Sequence, residues 1–353
     1  MKRLEFIDIL RGLAIVLMVI NHGGHYLTVI PLPDWAYLAV YLTVTLAAPL
    51  FLFLAGFSLI LSKAKNRDFS YYLKRGIFLI LFGYLINICF YPLEPWYRGR
   101  VLLAIGLSII LAYPFLKISL DKKVSAWLSF LAIIGLASFA LVKPYLQIFS
   151  FSHPVIADVL LTEFPIYPWF FLVLLGLAAG REFIANREEE RSKIYQGWPR
   201  GIPRSGAPKG AILRGWLVTG TLLLLAWLVL TIRYQPLSPW SFANDLILNN
   251  CWNPSLITWF WVLGFIYLFL NLAQWLAGKY SLLAIPLRLI GRQALALYWL
   301  QFLLVKTIGG EWLEIRLTSE FILMLTILFV LVMMCGFAAV LEWRKKQSHQ
   351  DYD

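Results

Sequence analysis

The sequence predicts an all-α, polytopic integral membrane protein of about ten transmembrane helices, with both termini in the cytoplasm. Three observations lead there. Hydrophobic residues make up 60% of the 353 residues and charged ones only 14%, with a mean hydropathy of +0.74, too apolar for a soluble chain of this size. The apolar residues gather into runs near the ~20 residues that cross a hydrocarbon core. Lysine and arginine concentrate in alternate connections.

The runs can be taken in order. The first, 6–27, carries Asp8 and Arg11 and has no small-residue cleavage site behind it, so it is expected to stay as a helix and not to be removed as a leader. The second, 36–61, begins beside Trp35, a residue type that favours the membrane interface. Lys63, Lys65, Arg67, Lys74 and Arg75 surround the entry to the third, 72–92, which ends near Tyr91 and Trp96. Only Arg98 and Arg100 mark the start of the fourth, 100–116, and Lys117, Lys122 and Lys123 lead into the fifth, 124–142. A connection at 143–166, with Lys143, His153, Asp158 and Glu163, reaches the sixth, 167–184, beside Trp169. The seventh is 212–232, and Arg233, Trp240, Asp245, Asn249, Asn250 and Trp252 separate it from the eighth, 255–276. Lys279 precedes the ninth, 285–306, which holds Arg288; Lys306 and Arg316 precede the tenth, 319–342, and Arg344, Lys345 and Lys346 follow it.

With the N-terminus in the cytoplasm, every strongly basic connection falls on that side. The net charge of +12 is thereby explained by topology, and no nucleic-acid partner is needed. The chain divides into a six-helix part, 1–180, a flexible basic cytoplasmic loop, 181–214, and a four-helix part, 215–353, within one membrane domain. The loop runs from three glutamates at 188–190 into a Gly/Pro-rich stretch at 197–210, where no helix or central strand is expected. Cys89, Cys251 and Cys335 form no metal or disulfide pattern, so no metal is expected. Gly176 and Gly180, four apart, read as helix packing.

The first run is the most informative. Asp8, Arg11, Asn21, His22 and His25 interrupt an otherwise apolar helix, and ionisable groups kept in such a place normally face a protein interior or a polar cavity. Eleven steps of ~100° bring His22 to within ~20° of Arg11 and ~16 Å along the axis. One face presents a cation near one membrane surface and an imidazole near the other. Asp8, three residues before Arg11, most simply pairs with it.

The run Ile7-Asp8-Ile9-Leu10-Arg11-Gly12-Leu13-Ala14, continuing to Asn21-His22, resembles the opening signature of the heparan-alpha-glucosaminide N-acetyltransferase catalytic-domain family and its bacterial relatives. Ala48-Pro49-Leu50-Phe51 to Gly56, Leu73-Lys74-Arg75-Gly76, Leu103-Ala104-Ile105-Gly106, Pro168-Trp169, Asn253-Pro254 and Gly291-Arg292 with Tyr298 resemble its later blocks, in the expected order. The Arg-to-His spacing is also similar to that of the wider membrane acyltransferases that acetylate surface polysaccharides. The resemblance implies a membrane acyltransferase that takes an acyl group, acetyl in the first instance, from cytoplasmic acyl-CoA to a glycan or glycolipid acceptor at the opposite face. It implies membrane lipids as surroundings, a second copy of the chain as a candidate partner, and the cell membrane as location. The chain departs from the pattern with Gln301, where bacterial relatives often have histidine, and with Pro31-Leu32-Pro33-Asp34-Trp35 where the lysosomal enzymes carry one.

Acyl transfer from a thioester needs an anion site, an apolar tunnel and a base. Arg11, Lys74, Arg75 and Arg292 lie near expected cytoplasmic helix ends and suit the donor's phosphates. Ile15 and Met18 continue the face of Arg11 and His22 as a tunnel wall. His22, of a residue type that titrates near neutrality, is the expected general base, and Asn21 or His25 is the expected oxyanion donor. An interfacial role is equally open to His25. Tyr298 and Gln301 share a face, either against an acceptor or in a packing hydrogen bond, and Glu163 is an expected acceptor contact that orients a histidine from outside. The rival reading is a transporter or lipid-handling protein using Asp8, Arg11 and His22 as a relay, although the paired broken helices common in transporters are not evident.

Overall fold

The structure, a computed structural model, describes residues 4–28, 34–63, 67–118, 122–153, 155–157, 164–195, 211–234, 256–279 and 281–350. Its principal elements are α1 Glu5–Tyr26, α2 Asp34–Lys63, α3 Phe69–Phe90, α4 Val101–Leu111, α5 Tyr113–Lys117, α6 Lys122–Ser152 and α7 Ile166–Tyr195. They continue with α8 Ala211–Tyr234, α9 Leu256–Lys279, α10 Ser281–Arg292, α11 Ala294–Gln301, a π-helix Phe302–Trp312 and α12 Glu320–Gln350. Among the described residues there is no strand beyond an isolated bridge between Thr28 and Leu317. The protein is all-helical, and six helical stretches are long and apolar enough to cross a membrane: Glu5–Tyr26, Phe69–Phe90, Ile166–Asn186, Arg214–Arg233, Ile257–Gly278 and Glu320–Lys345.

Local chemistry explains where the helices start and stop. The Asp68 carboxylate caps α3, accepting from the Tyr71 N–H at 3.3 Å and filling one of the open donors of the first turn. Pro114 stands in the first turn of α5, where its missing N–H is tolerated. The fourth expected run is therefore two helices joined at Ala112. α7 continues past the expected boundary at 180 to Tyr195, since 182–195 contains neither glycine nor proline and several strong helix formers.

The ninth expected run departs most from a single helix. Gln293 leaves the helical region at φ −108° and ψ 22°, which separates α10 from α11. From Phe302 the chain widens into a π-helix, where hydrogen bonds run from i to i+5. The Gly/Pro-rich 197–210, Asp158, Glu163, Asp245, Asn249 and Asn250 lie outside the described residues.

Contacts divide the chain into two units. The first holds Phe51–Val218 and Trp252–Phe260. Its helices meet at glycines: Gly76 and Gly106 bring α3 and α4 together, and Gly56 and Gly176 do so for α2 and α7. Gly180 also packs on α2, beside Phe57 and Ile60, as small residues four apart allow. Arg181 is fully buried and donates from Nη2 to the carbonyls of Phe115 and Ile118 at the C-terminal end of α5, where a cation suits the helix dipole.

The second unit holds Lys2–Leu50, Thr219–Cys251 and Trp261–Asp353. Here α1 and α10 touch through their backbones: a side chain at Gly12 would overlap the Leu287 carbonyl, and one at Gly291 would overlap the Asp8 carbonyl. Gly23 lets Ile327 of α12 approach α1. α8 and α9 meet at Gly220 and Gly264, with Trp227 against Trp261 at 4.4 Å between ring centroids. Overpacking such contacts costs about 1–3 kcal/mol, so Gly12→Ala and Gly291→Ala should each lower the thermal midpoint in detergent. Gly336→Ala, at a glycine with open space around it, should leave the midpoint unchanged or raise it through helix propensity.

Candidate functional site

The polar residues of α1 fall at two places within the second unit. Near the N-terminal end, Asp8 is buried, at 1% exposure. Its Oδ1 faces Arg11 Nη1 at 3.4 Å and its Oδ2 faces Arg292 Nε at 3.7 Å. Arg292 Nη1 donates to Glu342 Oε1 of α12 at 2.9 Å, and Gln293 Nε2 approaches Glu342 Oε2 at 3.4 Å. Two guanidinium groups are thus balanced by two carboxylates. The backbone contact at Gly291 puts Arg292 one residue from the Asp8 carbonyl, and the interruption at Gln293 aims an amide at the same glutamate. Arg288 and Glu5 form a further ion pair between α10 and α1 at 2.7 Å.

Near the C-terminal end of α1, His22 Nδ1 lies 2.7 Å from Gln301 Oε1. Gln301 is fully buried, and its Nε2 points at Met18 Sδ at 3.7 Å, which sets the amide with its carbonyl toward the ring. A carbonyl only accepts. With the amide in that orientation Nδ1 donates to Gln301 Oε1, and in a neutral ring the lone pair then lies on Nε2. The Phe302 ring packs on the imidazole at 4.7 Å and on Tyr298 at 5.4 Å, and Tyr26 lies 5.8 Å from His22. Because α11 begins afresh after Gln293, Gln301 comes to face α1 although an unbroken helix would turn it ~180° from Arg292.

The remaining expected residues are placed as follows. Asn21 is half-buried, and His25 is exposed with an edge contact to Tyr26 at 4.8 Å. Tyr298 is buried one turn before Gln301. Lys74 and Arg75 are exposed on α3, in the first unit, and Glu163 lies outside the described residues. Three participants escape a reading of sequence. Glu342 sits at the end of an apolar run next to basic residues, where an acid looks like ordinary flanking charge. Phe302 looks like core. Lys306 pairs with Glu311 at 2.5 Å, a five-residue separation that only a π-helix brings together. Among the described residues, no group of three His, Cys, Asp or Glu is gathered to hold a metal ion.

Comparison with known families gives a match to heparan-alpha-glucosaminide N-acetyltransferase, catalytic, over residues 3–205, more than half of the 353 residues. Asp8, Arg11, Asn21, His22, His25, Lys74 and Arg75 fall inside the matched stretch, whereas Arg292, Tyr298, Gln301 and Glu342 fall beyond it. Comparison with curated proteins returns no match.

Removing the shared carboxylate leaves two neighbouring cations without their common counter-charge. The arginines keep 27% and 30% side-chain exposure, so water moderates the penalty to about 1–3 kcal/mol. Asp8→Ala should therefore lower the stability measured by thermal unfolding in detergent, and Asp8→Asn should lower it less.

Proposed function

Since the chain belongs to the heparan-alpha-glucosaminide N-acetyltransferase catalytic family, we propose that this multi-pass membrane protein transfers acetyl from cytoplasmic acetyl-CoA to a glycan or glycolipid at the opposite face of the cell membrane. The observation that carries the reading is the 2.7 Å contact between His22 Nδ1 and the buried Gln301 carbonyl oxygen. It holds an imidazole in the basic tautomer on the same helix face as an arginine ~16 Å away.

In this reading the donor's phosphates bind at Arg11 and Arg292, where guanidinium forks match phosphate oxygens. Lys74 and Arg75 keep the cytoplasmic end of α3 positive. The acyl arm runs along the face of Ile15 and Met18 toward His22. There Nε2 takes the proton from an acceptor hydroxyl or amine as that oxygen or nitrogen attacks the thioester carbonyl. The C–S bond breaks, and the departing thiolate of CoA receives the proton from the imidazolium. Asn21 and His25 are the candidate donors to the developing oxyanion, and Tyr298, Gln301 and Glu163 are the candidate acceptor contacts. Gln301 has the further role of positioning His22.

The test uses purified protein in detergent, calorimetry with acetyl-CoA, and transfer of radiolabelled acetyl to a membrane glycan fraction. Arg11→Ala should weaken donor binding, because it removes charge-assisted hydrogen bonds worth about 1.5–3 kcal/mol each. His22→Ala should keep donor binding and lose transfer by about 10²–10⁴-fold. Wild-type transfer by His22→Ala would overturn the assignment of the base. Direct transfer leaves no labelled protein when the acceptor is omitted, whereas an acyl-histidine route leaves one.

A further inference from the structure

The cluster at the N-terminal end of α1 contains an anion that the proposed transfer does not use. Asp8 forms its buried floor, with 2% side-chain exposure, while Arg11, Arg292 and Glu342 keep 27%, 30% and 22%. The accessible side of the cluster is therefore two guanidinium groups with a carboxylate laid across one of them. Glu342 Oε1 takes the Nη1 of Arg292 at 2.9 Å, and Oε2 is drawn toward the amide of Gln293 at 3.4 Å. These are the positions a phosphate oxygen would take on an arginine fork. Arg292 Nε is buried without a hydrogen-bond partner among the described residues, since Asp8 stands off at 3.7 Å. That nitrogen faces the buried Asp8, so the Nη1 that Glu342 occupies is the contact over which a ligand competes.

We propose that Glu342 is a specificity-determining residue of the donor site: an internal anion that occupies Arg292 until a phosphate of the acyl donor displaces it. The inference rests on the donor reading above. With Glu342 in place the two arginines and two acids sum to zero charge, so a singly charged anion meets little net attraction. A phosphate dianion regains both guanidinium groups, while Glu342 swings away into its exposed surroundings. No covalent bond changes. The exchange favours donors that carry phosphate over bare thioesters.

The test compares wild type with Glu342→Gln, which keeps shape and removes the competing charge. The probes are acetyl-CoA, adenosine 3′,5′-bisphosphate and S-acetyl-pantetheine, which has no phosphate. Removal of one competing charge-assisted contact should tighten the two phosphate-bearing probes by about tenfold in Kd and leave S-acetyl-pantetheine unchanged. Glu342→Asp, too short to span to Arg292, should tighten them by a smaller factor and stands in if the glutamine variant does not fold. Arg292→Gln should abolish the gain. Unchanged or weaker binding of acetyl-CoA by both Glu342 variants, with wild type still binding, would overturn the inference and leave the donor site standing. An equal gain for S-acetyl-pantetheine would also overturn it, since that reports a loosened fold. Failure of wild type to bind acetyl-CoA would remove both.

Discussion

The close approach of α1 and α10 sets the second unit. At Gly12 and Gly291 each helix meets the other's main chain directly, with no side chain between. That contact holds Arg292 beside Asp8 and fixes where α10 stops. The interruption at Gln293 follows at once, and α11 then carries Gln301 to His22. Larger residues at the two glycines would separate both pairs together. In an apolar medium packing of this kind takes over from the hydrophobic effect, because lipid tails are as apolar as the side chains they would replace.

The two polar places on α1 solve different problems. Asp8 is too deeply buried to keep a charge alone, and it is held by two guanidinium groups that reach the surface. Burying such charges seldom adds net stability even when they are paired, so the cost of keeping them points to use. The His22 place is built from an amide, a thioether and aromatic faces. Its amide oxygen meets the imidazole at Nδ1.

Much of this architecture was legible in sequence. The helical class, the apolar runs and the polar face of the first helix follow from spacing and composition, and Asp8 and Arg11 meet as residues three apart on a helix do. What escaped detection depends on breaks in helical register. Run length alone makes 285–306 one helix, because Gln293 is neither glycine nor proline and nothing local announces that it leaves the helical region. The partnership of His22 with Gln301 spans 279 residues, and that of Arg292 with Glu342 spans 50. No periodicity connects residues so far apart. Boundaries failed where intrinsic propensity outlasted hydrophobicity, as in α7, whose polar C-terminal half stays helical.

The glycine contacts between α1 and α10 also have a mechanical meaning. Helices whose side chains mesh loosely can slide or rock past one another, and many transport cycles use that freedom. Here bare backbone is seated against bare backbone at two positions. A shift by one residue along the axis would drive Cβ atoms into carbonyl groups. The pair behaves as a keyed joint with one engaged position, and cargo moving along this face would have to do its own travelling while the helices stay still.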